Sequence, residues 1–148
     1  MMLPDVNIWL ALVLSGHEHH TLARSWFENQ VKPKSIHFCR ATQLGLLRLL
    51  TTKSVTAPYR IPPLSNNEAW QILERLMDDD RVTLASEPNG ILTKWKLYAR
   101  KQVSSPKLWM DAWLAAFATC GGLQCITLDK GFSQFPDLDL NLLTNHSM

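Results

Sequence analysis

Short apolar runs alternate with longer amphipathic stretches along the 148 residues of the chain. The short runs predict strands, and the longer stretches, whose apolar residues recur every three or four positions, predict helices. A regular alternation of the two is typical of an α/β fold with a parallel sheet and helices on both faces. The predicted strands are residues 1–5, 35–39, 82–84, 124–128 and 140–144, and the predicted helices are residues 6–15, 21–30, 40–52, 65–80, 90–101, 107–119 and 130–135.

Local sequence signals mark the ends of several of these elements. Ser65 is followed three positions later by Glu68, which is the spacing of a capping box at a helix start. Three prolines within residues 57–64 predict a loop in front of that helix. The segment Cys120-Gly121-Gly122 predicts the end of the apolar helix that begins at residue 107.

The composition is ordinary for one globular domain, which we expect to comprise residues 1–148. Hydrophobic residues make up 46% of the chain, yet no apolar run approaches the roughly 18 residues that a membrane span requires. The net charge of +2 is too small to indicate nucleic-acid binding by itself. Three cysteines without a CxxC pair favour reduced thiols, and the N-terminus lacks a secretory signal, so we expect a cytoplasmic protein.

Three carboxylates stand out by their positions in the pattern. Asp5 ends the first predicted strand, Asp129 ends the fourth, and Asp111 is the one acid in the apolar helix 107–119. Carboxyl ends of parallel strands lie at one edge of the sheet, where sites form in α/β proteins. Three carboxylates brought together raise the pKa of at least one of them unless a cation joins them. Oxygen ligands of this kind suit Mg²⁺ or Mn²⁺.

Each carboxylate also has a purely structural interpretation. Asp5 and Asp129 can cap the helices that follow them. Asp111 lies in the first turns of its helix, where the helix dipole stabilises a negative charge. Because two of the three acids end strands of one sheet, we favour the functional interpretation.

Three segments resemble the main motifs of PIN domains: MLPDVNIWLAL at the N-terminus, MDAWLAAFA in the apolar helix and TLDKGFSQFP near the C-terminus. Their order and the chain length resemble the VapC toxins of bacterial toxin–antitoxin pairs. The resemblance implies a Rossmann-like five-stranded parallel sheet and an Mg²⁺- or Mn²⁺-dependent endoribonuclease that is held inactive by a cognate VapB-type antitoxin. It implies that the catalytic metal ligands are Asp5, Asp111 and Asp129. It also implies that Asn7 and Thr127 are polar residues that support the site.

One position departs from the family pattern. PIN domains commonly carry a glutamate in the third helix, and the matching residue here is Gln43, which the resemblance makes a further candidate supporting residue. An amide offers an oxygen but no charge, so we expect weaker metal affinity at this site. This departure motivates an alternative hypothesis, a PIN-fold module that binds RNA or protein with weak or no catalysis. A phosphatase or nucleotide binder is a weaker third hypothesis, because no glycine-rich phosphate loop follows the first strand.

Basic and aromatic residues suggest where partners bind. Arg40 and Arg48 lie near Gln43 in the third helix and are candidate contacts for RNA phosphates, although an arginine on a helix face is more often simply solvated. A further candidate for RNA contact is the densest basic run of the chain, Lys94, Lys96, Arg100, Lys101 and Lys107. The six tryptophans exceed what a small core needs, and four are candidates for a homodimer interface or an antitoxin groove: Trp9, Trp26, Trp70 and Trp95.

Overall fold

Five parallel strands form the centre of the molecule. The computed structural model describes residues 1–144 of the chain. The strands lie in the order β3-β2-β1-β4-β5, and each neighbouring pair is parallel. The predicted five-stranded parallel sheet is therefore confirmed. The strands are β1 (Met2–Pro4), β2 (Ile36–Phe38), β3 (Val82–Leu84), β4 (Gln124–Thr127) and β5 (Leu140–Leu142).

Seven α-helices and two 3₁₀-helices connect these strands within the described residues. Each long helix predicted from the sequence is present, with ends that differ from the prediction by up to two residues. No helix in the described part of the chain has the length and apolarity that crossing a membrane requires. The α-helices are α1 (Val6–Val13), α2 (His20–Glu28), α3 (Arg40–Leu50), α4 (Lys53–Thr56), α5 (Asn66–Asp78), α6 (Ile91–Ala99) and α7 (Leu108–Gly121), and the 3₁₀-helices are Ala57–Tyr59 and Lys130–Gln134.

One predicted detail is wrong. The predicted loop at residues 57–64 begins with the 3₁₀-helix Ala57–Tyr59, because Pro58 occupies its first turn, where the missing N–H costs no hydrogen bond. The predicted end of α7 within Cys120-Gly121-Gly122 is confirmed, since the helix runs to Gly121 and Gly122 ends it by adopting a left-handed conformation with φ of 65°. The predicted capping box is confirmed, since Ser65 and Glu68 exchange both hydrogen bonds at the start of α5.

The sheet buries an apolar layer on each face. Leu3 and Cys125 point to one face and pack in the cluster that α6 and α7 cover. Ile36, Phe38 and Ile126 point to the other face and pack in the cluster that α1, α2, α3 and α5 cover. This arrangement confirms the expectation of helices on both faces. All three cysteines carry free thiols, as expected.

Two of the tryptophans considered for an interface belong to the core instead. Trp9 is fully buried, and its ring stacks on Phe38 with the centroids 3.9 Å apart. Trp26 is also buried, beside Phe27. Trp70 on α5 is exposed and Trp95 on α6 is half-buried, so these two remain available to a partner.

The order in which strands are added to the sheet reverses at β1. It proceeds outward from β1 to β2 and β3, and then crosses to β4 and β5 on the other side. In open α/β sheets, ligands bind outside the carboxyl ends of the strands at such a switch point. Here the switch point lies between β1 and β4, the strands that Asp5 and Asp129 follow.

Candidate active site

Asp5 follows the central strand β1, and its carboxylate is buried, with 9% of the residue exposed. Its Oδ1 accepts a 2.7 Å hydrogen bond from the Val6 N–H at the start of α1, and its Oδ2 accepts a 3.0 Å bond from Thr127 Oγ1. Burial raises the pKa of Asp5 from 3.8 to about 6, although both hydrogen bonds lower it. A carboxylate with a raised pKa at a switch point is a candidate functional group.

Thr127 ties the ends of β1 and β4 together. Its hydroxyl donates to Asp5 and accepts hydrogen bonds from Asn7 Nδ2 at 3.3 Å and from the Asp129 N–H at 3.0 Å. The Asn7 Oδ1 in turn accepts a 3.3 Å hydrogen bond from the Leu128 N–H. Asn7 and Thr127 thus link the backbone that follows β4 to the Asp5 side chain and the start of α1.

Asp129 follows β4 and caps the 3₁₀-helix Lys130–Gln134, where its Oδ1 accepts a 2.8 Å hydrogen bond from the Gly131 N–H. Its Oδ2 lies 3.7 Å from the Lys107 Nζ, in an ion pair whose lysine is mostly exposed. A Cβ atom on residue 131 would lie 3.1 Å from the Asp129 Oδ1, so glycine leaves room for the carboxylate. The capping role expected for Asp129 is present, and the carboxylate also borders the site.

Asp111 lies in the first turn of α7 and is half-buried. Burial raises the pKa of Asp111, the negative charge of Asp129 raises it further, and Lys107 lowers it. The charges of Asp111 and Asp129 also raise the pKa of Asp5. The three carboxylates predicted from the sequence therefore interact electrostatically across the switch point.

The chemistry of this donor set fits a hard divalent cation. Burial and the charges of neighbouring carboxylates raise the pKa of Asp5 and of Asp111, and a cation bound beside them would relieve that repulsion. Among residues 1–144, no three His, Cys, Asp or Glu side chains are close enough to hold one ion together. The support for a cation at this edge is therefore electrostatic.

Comparison with known proteins identifies the family. The sequence model of the PIN domain matches residues 2–138. The chain belongs to the PIN domain family. Ribonuclease VapC41 of Mycobacterium tuberculosis is 51% identical to this PIN domain over 144 residues, which cover 97% of this chain and 99% of that protein. Ribonuclease VapC44 of the same organism is 30% identical over 129 residues, which cover 87% and 86%.

Solved structures share the fold of this PIN domain. VapC20 of Mycobacterium tuberculosis, described as a sarcin–ricin loop cleaving toxin, superposes with a TM-score of 0.65 at 17% identity over 94% of this chain and 98% of that one. VapBC2 from Rickettsia felis, bound to a DNA fragment from its promoter, matches with a TM-score of 0.64 at 11% identity over 97% and 98%. At these identities the likeness extends to the fold alone.

Gln43 of this PIN domain is buried near the start of α3, and its side-chain amide makes two hydrogen bonds. Its Oε1 accepts a 2.6 Å hydrogen bond from Arg40 Nη1, and its Nε2 donates to Met77 Sδ at 3.5 Å. Where the family commonly carries a glutamate, this chain therefore presents a neutral amide that binds a guanidinium. A supporting role for Gln43 stays a prediction.

The two arginines considered for RNA contact lie in different places. Arg40 begins α3 directly after β2, at the carboxyl edge of the sheet. Arg48 lies about 12 Å further along the helix, at 1.5 Å per residue, and lines a groove between α3 and α5 with Leu44 and Trp70. The structure thus brings Arg40 to the edge that carries the carboxylates and leaves Arg48 away from it.

The sequence interpretation missed the place of Lys107 in the site. Lys107 was grouped with the basic run, yet it pairs with Asp129 and lowers the pKa of Asp111. The signal that could have found it is its spacing, because a lysine four residues before Asp111 at a helix start lies on the same helix face.

Proposed function

We propose that this PIN domain is an Mg²⁺- or Mn²⁺-dependent endoribonuclease and the toxin of a VapBC-type pair. The observation that carries the proposal is the electrostatic coupling of Asp5, Asp111 and Asp129 at the switch point of the sheet. The 51% identity to ribonuclease VapC41 over nearly the whole chain supports RNA as the substrate. Hydrolysis of a phosphodiester by water requires no protein nucleophile.

In this proposal Asp5, Asp111 and Asp129 would hold one or two cations, with bound water supplying the remaining ligands. The chemistry that a divalent cation supplies when bound is activation of water and neutralisation of charge on the phosphoryl group. Thr127 orients the Asp5 carboxylate through its hydroxyl, and Asn7 keeps the Thr127 hydroxyl in place. Lys107 offsets the charge of Asp129 at the solvent side of the site.

We propose a VapB-type antitoxin and a second copy of the chain as protein partners. Support for an antitoxin comes from the structural neighbours, which include VapBC2 from Rickettsia felis and FitAB bound to a DNA fragment. For the homodimer, a candidate surface is the groove of about 620 Å³ between α3 and α5, in which Leu44 and Trp70 are exposed. The expectation of a cytoplasmic location is part of this proposal.

The contact between Gln43 and Arg40 favours a second candidate function, an RNA- or protein-binding module with weak or no catalysis. The amide supplies no negative charge, and the guanidinium that it binds opposes cation binding nearby. A calorimetric titration with Mg²⁺ discriminates between the two functions. The nuclease binds the cation at sub-millimolar concentration, whereas the module has no need to.

The direct test is incubation of the purified, antitoxin-free protein with total cellular RNA in Mg²⁺, in Mn²⁺ and in EDTA. We expect discrete fragments that require a metal and that disappear with Asp5→Asn and with Asp111→Asn. Intact RNA in every lane, from protein that circular dichroism shows to be folded, would refute the nuclease and favour the binding module.

A further inference from the structure

An apolar pocket of about 320 Å³ lies near the carboxyl edge of the sheet. It lies where the start of α3 meets α6 and α7, and Met110, which lines it, directly precedes Asp111. Because α3 begins straight after β2, the pocket lies at the same carboxyl edge of the sheet as the candidate active site. Its lining consists of Ala41, Trp95, Pro106, Trp109, Met110 and Trp113.

The tryptophans of this pocket are held by the fold. The Trp95 Nε1 donates a 3.0 Å hydrogen bond to the backbone oxygen of Trp109, and the two rings meet edge to face with centroids 6.5 Å apart. Trp113 packs against Phe117 in the core. Nevertheless Trp109 is 60% exposed and Met110 is 57% exposed. A fixed and solvent-exposed aromatic surface of this kind is typical of a binding site.

Trp109 and Pro106 also border a second pocket, which is basic. This pocket of about 430 Å³ includes Lys96, Arg100 and Lys101. Residues 94–107 contain five lysines and arginines and no aspartate or glutamate. Trp109 therefore borders both an apolar pocket and a pocket that contains three basic residues.

We propose that the apolar pocket binds an unpaired nucleobase of the RNA substrate beside the phosphodiester that is cleaved. Trp109 is the stacking surface, and Lys96, Arg100 and Lys101 contact the phosphates of the adjoining nucleotides. Aromatic surfaces next to basic side chains are the combination with which proteins bind single-stranded RNA. The proposal rests on the proposed function, because it takes RNA as the substrate.

The charge pattern favours RNA over a protein segment as the occupant. A strand of RNA presents a base and a phosphate at each nucleotide, which matches an apolar pocket and a basic pocket that share Trp109. Met110, which lines the apolar pocket, directly precedes Asp111 in α7, and on this proposal a nucleotide bound in the pocket has its phosphate near the proposed reaction centre.

Binding of short fluorescent single-stranded oligoribonucleotides to the cleavage-deficient Asp5→Asn protein tests the proposal by anisotropy. Trp109→Ala is expected to weaken binding about fivefold or more, since stacking on one aromatic side chain contributes about 1–3 kcal/mol per base. Trp109→Phe should restore the affinity to within about twofold, because a ring remains available for stacking. The matched control is Leu92→Ala, at a residue of α6 that is 70% exposed and lines neither pocket; it should leave binding unchanged.

The salt dependence separates base contacts from phosphate contacts. Arg100→Ala and Lys101→Ala should each lower the slope of log Kd against log salt concentration by about 0.7. Trp109→Ala should lower the affinity with the slope unchanged. A Trp109→Ala protein that binds RNA like its parent, or a Leu92→Ala protein that loses as much affinity, overturns the proposal.

The outcomes also distinguish this proposal from the nuclease itself. Binding that depends on Trp109, in a protein that cleaves no RNA with any metal, refutes the nuclease and supports the base pocket. Metal-dependent cleavage that is unaffected by Trp109→Ala supports the nuclease and refutes the base pocket. A Trp109→Ala protein that loses affinity for its antitoxin but binds RNA normally shows that the pocket binds protein, and this result overturns the proposal.

Discussion

The hydroxyl of Thr127 donates a 3.0 Å hydrogen bond to Oδ2 of Asp5, across 122 positions of sequence. The same hydroxyl accepts the N–H of Asp129, so one side chain positions two of the three carboxylates. This contact joins the carboxyl ends of β1 and β4, where the chain changes its direction across the sheet. The candidate active site therefore depends on correct pairing of these two strands.

Removal of the Thr127 hydroxyl should disturb the site more than the fold. Thr127→Val keeps the side-chain shape but leaves Asp5 without a hydrogen bond that lowers its pKa. We expect the apparent pKa of the pH–rate profile to rise and the free energy of unfolding to fall by about 1–3 kcal/mol. The matched control is Thr83→Val in β3, at the edge of the sheet, which should leave the profile unchanged. An unaltered profile for Thr127→Val contradicts this prediction.

The metal-free protein should lose stability as pH rises from the pKa of Asp5 in the unfolded chain to its pKa in the folded protein. Its pKa is about 6 in the folded protein against 3.8 for the free side chain, so the folded state retains a proton that the unfolded state has released. The free energy of unfolding therefore falls between about pH 4 and pH 6, by about 3 kcal/mol at most, and stays low above that range.

Asp5→Asn tests this dependence, because it removes the buried charge. In EDTA at pH 7 the variant should unfold at a higher urea concentration than the parent, whereas near pH 4 the difference should vanish. Addition of Mg²⁺ should then stabilise the parent but not the variant. A parent that is the more stable of the two in EDTA at pH 7 rules out the proposed destabilisation by Asp5.

Restoring an acid at position 43 should strengthen cation binding. Gln43→Glu adds a negative charge near the start of α3, which begins at the carboxyl edge of the sheet, and we expect the Mg²⁺ affinity measured by calorimetry to rise about tenfold. Arg40 would pair with that charge, so the combination with Arg40→Ala should raise the affinity further. Gln71→Glu on the exposed side of α5 makes the same change of net charge and is the control. Equal affinities for the two glutamate variants would show that the effect is not local.

Enlarging residue 131 should displace the Asp129 carboxylate. The Cβ of Gly131→Ala would lie 3.1 Å from Oδ1 of Asp129, so the carboxylate has to shift by a few tenths of an ångström. We expect kcat to fall about threefold to tenfold with little change in the unfolding midpoint, since small misplacements at a reaction centre are costly. Gly16→Ala, whose Cβ would have its nearest neighbour at 3.9 Å, should leave kcat unchanged. A normal kcat for Gly131→Ala argues against a role for Asp129 in the reaction.

The sequence by itself determined the positions of the strands and long helices and the placement of two of the acids. Apolar periodicity is a local property, so it predicted five strands and the long helices to within two residues. The parallel alternation also implied that Asp5 and Asp129, which both follow strands, lie at one edge of the sheet. The family resemblance added Asn7 and Thr127, which the structure joins in one hydrogen-bond network.

Only the tertiary structure decided which strands are neighbours and what surrounds the acids. Strand order depends on contacts between segments far apart in the chain, so the switch point between β1 and β4 has no local signature. For the same reason the sequence could not place Trp9 in the core and Trp109 on the surface, since both lie in helices rich in apolar residues. The pairing of Gln43 with Arg40 and the pocket between α3, α6 and α7 likewise arise from packing, which brings side chains from distant segments to one place.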